Sequence, residues 1–144
     1  MAGVCTFLIA DDDAALRTML ELMLGIEPGW SVIGQATNGT EAVELVASGC
    51  RPDVILLDLN MPHMDGYDVI RELKHVCPPL EIVVYSGEDE RVARARVQSL
   101  APFEYIVKGD PTALLKRLHT VCQRRHPELA TAAEPDSASR SASS

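Results

Sequence analysis

What this 144-residue chain lacks narrows the possibilities first. Its longest uninterrupted aliphatic stretches run to four or five residues, as at residues 54–57. A bilayer-spanning helix needs about 20 apolar residues in a row. The opening residues, Met1 to Thr6, contain neither a basic stretch nor a long apolar one. No secretory signal is therefore expected, and the cytoplasm is the expected location. The four cysteines, Cys5, Cys50, Cys77 and Cys122, are far apart and form no C-x-x-C pair. Metal-ligand and redox spacings are missing, so four small buried or half-buried thiols are expected. Basic residues are in deficit as well. A net charge of −8 argues against direct binding to nucleic acid, which needs a basic footprint. The basic residues are unevenly placed, with eight of the 13 lying between Arg91 and Arg125. Solvated helix faces explain that clustering, and a docking surface for an acidic partner is the sharper alternative.

Apolar residues make up 47% of the chain, enough for one domain with a packed core. Apolar runs at residues 5–10, 31–36, 54–59, 81–85 and 103–107 read as strands, the third being the most apolar and hence central. Helical spacing of apolar residues places helices at 14–24, 41–48, 67–75, 90–100 and 112–125. Thr40 is read as the cap of the second helix and Gly49 as its stop. Five strict β-α alternations argue for a parallel sheet covered by helices on both faces. Residues 127–144 differ: ten of these 18 are Ala or Ser, and no aromatic is present. They read as a disordered tail after a domain over residues 1–126. No second domain is expected in that tail, so any effector would be a separate molecule.

In open α/β sheets, ligands bind beyond the carboxyl ends of the strands. Asp11, Asp12 and Asp13 follow the first strand, Asp58 closes the third, Ser86 follows the fourth and Lys108 the fifth. Each alone has a bland explanation as a cap, a turn residue or a snorkelling side chain. Four converging at one sheet edge do not. Asp58, set between Leu57 and Leu59, is expected to be partly desolvated and to repel Asp11 or Asp12 nearby. Clustered carboxylates without His or Cys select Mg²⁺, or Mn²⁺, over Zn²⁺. A carboxylate can itself be the nucleophile in phosphoryl transfer, with Ser86 and Lys108 bonding phosphoryl oxygens.

The segments LIADDD (8–13), DVILLDLNMPHMDG (53–66), VVYSG (83–87) and YIVKG (105–109) resemble the response-regulator receiver family. The likeness covers about residues 4–125. It implies a flavodoxin-like, doubly wound five-stranded parallel sheet of strand order 2-1-3-4-5 with five helices. It implies Asp58 as phosphoacceptor, Asp11, Asp12, Asp58 and the Asn60 backbone carbonyl as ligands of Mg²⁺, and Ser86 and Lys108 as phosphoryl contacts. It makes Ser86 the switch hydroxyl, and Tyr105 the aromatic that turns inward with it. Pro62 and Asp65-Gly66 match the loop at the site's rim. Asp13 fits a helix cap better than a ligand, and His63 a rim position. His75, His119 and His126 read as surface residues. Asn60 and Glu88 occupy positions that tune hydrolysis, and the pair resembles that of chemotaxis receivers, which implies a short-lived phosphoryl group.

Two departures stand out. Gly109 follows Lys108 where the family usually has proline, often after a cis bond; a trans bond or a more mobile loop is expected. Ala101-Pro102 replaces a common Gly-Ala. The partners implied are a histidine kinase or phosphotransfer protein and a downstream protein met by the fourth helix, fifth strand and fifth helix. No membrane is implied, and the chain is expected as a monomer or a phosphorylation-dependent dimer. The alternatives are the receiver portion of a DNA-binding regulator, a phosphorylation-independent interaction module, and a phosphatase with an aspartate nucleophile. The last usually has a second acid where Asn60 stands.

Overall fold

A computed structural model of the protein describes residues 3–61, 66–87, 91 and 104–129. In chain order the elements are β1 (Cys5–Ala10), α1 (Ala14–Gly25), β2 (Trp30–Ala36), α2 (Gly39–Ala47), β3 (Val54–Leu57), α3 (Gly66–Val76), β4 (Glu81–Ser86), β5 (Glu104–Val107) and α4 (Pro111–Arg125). Apart from Arg91, the helix expected over residues 90–100 lies outside the described residues. So do Pro62, His63, Asp65, Glu88, Ala101, Pro102 and the chain from residue 130.

The strands form one sheet in the order β2-β1-β3-β4-β5, and every pairing is parallel. Side chains alternate across a pleated strand, and this alternation divides the core in two. Leu8, Ile55, Leu57, Ile82 and Val84 face α2 and α3, packing on Ala42, Val46, Val69, Ile70 and Leu73. Phe7, Ile9, Val54, Leu56 and Val83 face α1 and α4, packing on Leu20, Leu24, Leu114, Leu118 and Val121. All four residues of β3 are buried, as a central strand requires.

Four local expectations need correction. The cap of α2 is Asn38, whose side chain accepts from the Glu41 N–H, while Glu41 reaches back to the Thr37 N–H; Thr40 lies inside the helix. Asn38 sits one residue ahead of the first helical position and so can reach the exposed donors. The four cysteines are not four thiols: Cys5 and Cys122 are joined in a disulfide across 117 residues of sequence, leaving Cys50 and Cys77 free. Widely spaced cysteines carry no pairing signal in sequence; the fold brings β1 beside the end of α4. His126 is not simply a surface residue, because its ring contacts Asp53 at 2.9 Å. Finally, packing runs past residue 126. One further helical turn at 127–129 lays Leu129 against the α1–α4 core.

At the amino ends of the strands, Asp53 ties the fold together. It accepts from the Thr6 N–H and hydroxyl and from Arg125 and His126. Burial opposes its charge, yet the Thr6 N–H and the His126 and Arg125 partners hold its carboxyl below the ordinary carboxylate range. The hydrogen bond to Asp53 in turn raises His126 above its ordinary value, with Glu128 adding to the effect.

Candidate functional site

At the opposite edge, four of the five strand ends deliver polar groups. β1 runs out at Ala10, and the Asp11 N–H is fixed by the Ala36 carbonyl of β2 at 3.1 Å. Asp13 then caps α1, accepting from the Ala15 and Leu16 N–H groups, as expected of a residue at that offset. The strand β3 stops at Leu57, and the Asp58 N–H bonds the Ala10 carbonyl, so Asp58 begins the loop beside Asp11. Ser86 ends β4, and its carbonyl accepts from the Lys108 N–H just after β5.

The side chains meet. Lys108 Nζ lies 3.0 Å from an Asp11 oxygen and 3.4 Å from an Asp58 oxygen. Carboxylate oxygens of Asp11, Asp12 and Asp58 lie within 4.8 Å of one another, with Asp11 and Asp58 buried and Asp12 exposed. Asn60 donates its N–H to Asp58 at 3.1 Å and its side-chain amide to the Ser86 hydroxyl at 3.4 Å. Burial raises the Asp11 carboxyl above its ordinary value, and the Asp58 charge adds to this, against the Asp13 N–H and Lys108. Burial alone would lower Lys108, but its hydrogen bond to Asp11 and the two carboxylate charges raise it.

Among the described residues, three clustered carboxylates share the Lys108 ammonium, with the Arg17 guanidinium behind Asp11, so negative charge remains in excess. The donor set is all oxygen, with no His or Cys among the three clustered residues. Such a set fits a hard divalent cation.

The chain matches the model of the response regulator receiver domain over residues 7–119. It belongs to the response-regulator receiver family. Over 115 residues, 79% of its length, this receiver is 36% identical to the nitrate/nitrite response regulator NarL of Escherichia coli, and the match spans 53% of NarL. The chain therefore covers about half of that longer relative. It is 34% identical to the chemotaxis protein CheY of Thermotoga maritima over 115 residues, 79% of this chain and 94% of CheY. The REC domain of AraT, a response regulator from Geobacillus stearothermophilus, superposes with a TM-score of 0.73 at 31% identity, covering 84% of this chain and 95% of that one.

Asp11, Asp12, Asp58, Ser86 and Lys108, each singled out in the sequence, gather at one edge of the receiver's sheet. Asn60 is exposed, but its N–H is turned to Asp58. No peptide bond among the described residues is cis, and Gly109 has φ +115°. Lys108 reaches both buried carboxylates without the family's proline. Tyr105 is buried, in the same cluster as Val84 and Leu57. Arg17 escaped sequence reading. Its guanidinium bonds the Asp11 carbonyl at 2.7 Å and the Gln35 side chain at 3.2 Å. The available signal was a lone arginine four residues after the acidic triplet, in a turn otherwise built from Ala, Leu and Thr.

Proposed function

We propose that this receiver accepts a phosphoryl group on Asp58 from a phosphohistidine of a kinase or phosphotransfer protein, in the cytoplasm. An Asp58 carboxylate oxygen attacks phosphorus, the bond from phosphorus to the histidine nitrogen breaks, and the released imidazole takes up a proton. The observation that carries the reading is the contact of Lys108 with both Asp11 and Asp58 beside a cluster of three carboxylates. Asp11, Asp12, Asp58 and the Asn60 carbonyl would hold Mg²⁺ (Mn²⁺ is an alternative), which supplies charge neutralisation and a clamp for phosphoryl oxygens. The Lys108 ammonium, a compact point charge, would exchange a carboxylate partner for a phosphoryl oxygen. The Ser86 hydroxyl, now against the Asn60 amide, makes the second contact.

Both contacts arise only with the phosphoryl group present, so they bias the chain toward one conformation. β5, α4 and the segment expected from sequence as the fourth helix (residues 90–100) are the proposed reporting surface for a downstream protein, with Tyr105 as its switch residue. Asn60 and Glu88 make the phosphoryl group short-lived; persistence for many hours would contradict that assignment. Incubation with a small phosphodonor and Mg²⁺ tests the whole reading. Wild type should gain one phosphoryl group by intact mass, and Asp58→Asn none. Incorporation by Asp58→Asn would remove the assignment.

A further inference from the structure

We infer that Arg17 is a positioning residue for the metal-binding carboxylates, acting through the backbone between Asp11 and Asp12. This rests on the metal-dependent acceptor reading and adds a residue to it.

Arg17 lies in the first turns of α1, its N–H bonded to the Asp13 carbonyl. Its side chain folds back over that turn. Nη1 donates to the Asp11 carbonyl at 2.7 Å, and Nε donates to the Gln35 Oε1 at 3.2 Å. Gln35 belongs to β2, where it pairs in register with Ile9 of β1. The guanidinium therefore braces the last turn of β1 against its neighbouring strand, from a helix.

Every polar group of Asp11 has a partner on a different part of the fold. The N–H is held by Ala36, one carboxylate oxygen by the Asp13 N–H and the other by Lys108. The carbonyl is held by Arg17. That carbonyl belongs to the peptide unit entering Asp12. Its direction fixes ψ of Asp11 and φ of Asp12, and so the departure of the Asp12 side chain. Asp12 is exposed, so core packing does not place its carboxylate. The planar, forked guanidinium suits a two-point brace of this kind; an ammonium offers no such geometry.

Electrostatics and positioning make opposite demands on this residue. Arg17 is a positive charge beside a cation site, so removing it should tighten Mg²⁺ binding if charge alone mattered. If the brace matters, removing it loosens binding. Partners that orient metal ligands are typically worth about 10- to 100-fold in metal affinity.

Mg²⁺ alone is titrated calorimetrically into the full chain, with urea unfolding in metal-free buffer run beside it. Arg17→Met, similar in length but without donors, should weaken Mg²⁺ binding about tenfold. Arg17→Lys keeps the charge with a poorer brace and should recover part of that loss. Gln35→Met removes the second anchor without touching charge. It should weaken binding less, and not at all further when added to Arg17→Met. Should Arg17→Met fail to fold, Gln35→Met still decides, and unchanged affinity there overturns the brace. Equal or tighter binding by a folded Arg17→Met overturns this inference alone. Absence of Mg²⁺ binding by wild type overturns both it and the acceptor reading.

Discussion

At the scale of single residues, the acidic cluster sets the proposed cation site against stability. Asp11 and Asp58 are buried near Asp12, with Lys108 the ammonium that contacts both buried acids. Without metal, like charges held this close repel. Asp12→Asn is expected to raise metal-free stability by up to about 1 kcal/mol at low salt, and to lose the stabilisation that Mg²⁺ gives wild type. Urea unfolding with and without Mg²⁺ checks both halves. Gly109 has a different constraint. A Cβ there would meet nothing within 4 Å, yet φ is +115°, which L side chains rarely adopt. Gly109→Ala should therefore cost about 1–3 kcal/mol through the backbone alone, read from the same unfolding curves. Gly66 shows the reverse case: a Cβ would lie 2.7 Å from the Leu59 Cα, so the first residue of α3 admits no side chain.

At the scale of elements, the sequence was legible where apolar period and strand ends coincide. All five strands lie within a residue or two of their expected bounds, because the β3 and β4 runs are buried on both faces and cannot be mistaken for surface. Asp13 was readable as a cap from its offset alone. The α2 cap was misplaced because Asn38 and Thr40 are both good capping types, and only the backbone decides between them. Arg17 and His126 were missed for a shared reason. Each acts on a partner far along the chain or through a backbone carbonyl, and neither leaves a periodic trace. The His126–Asp53 contact anchors the end of α4 to the amino edge of the sheet, with Arg125 and Glu128 flanking it.

Its pH dependence follows from opposite shifts. His126 is raised from 6.5, so its contribution is whole below that value and fades as pH rises through its raised folded value. Asp53 is lowered from 3.8, so its contribution is whole above that value and is lost as pH falls through its lowered folded value. Wild type should exceed His126→Ala in stability by about 0.5–1 kcal/mol near pH 5, with the gap shrinking toward pH 9. Denaturant midpoints across that range check the sign.

At the scale of the whole molecule, function and anchoring occupy opposite edges of one sheet. The carboxylates and Lys108 gather at the carboxyl ends of the strands, while Asp53, Arg125 and His126 gather at the amino ends. Among the described residues no helix is long and apolar enough to cross a membrane. The disulfide adds a covalent tie between β1 and α4, closing a loop of 117 residues. A tie of that span typically stabilises by about 2–4 kcal/mol, chiefly through the unfolded chain. Unfolding in the presence of reductant should shift by that amount, while Cys5→Ser/Cys122→Ser protein should ignore reductant.

Burial of this tie has a kinetic corollary. Cys5 is 0% and Cys122 1% exposed, so no external thiolate can reach either sulfur while the seam between strand and helix is shut. Cleavage must wait for that seam to breathe, and exchange runs at whatever frequency the native state allows. At high thiol concentration the rate of cleavage should stop rising and level off. The plateau would time the spontaneous parting of β1 from α4, turning a covalent bond into a stopwatch for native-state opening.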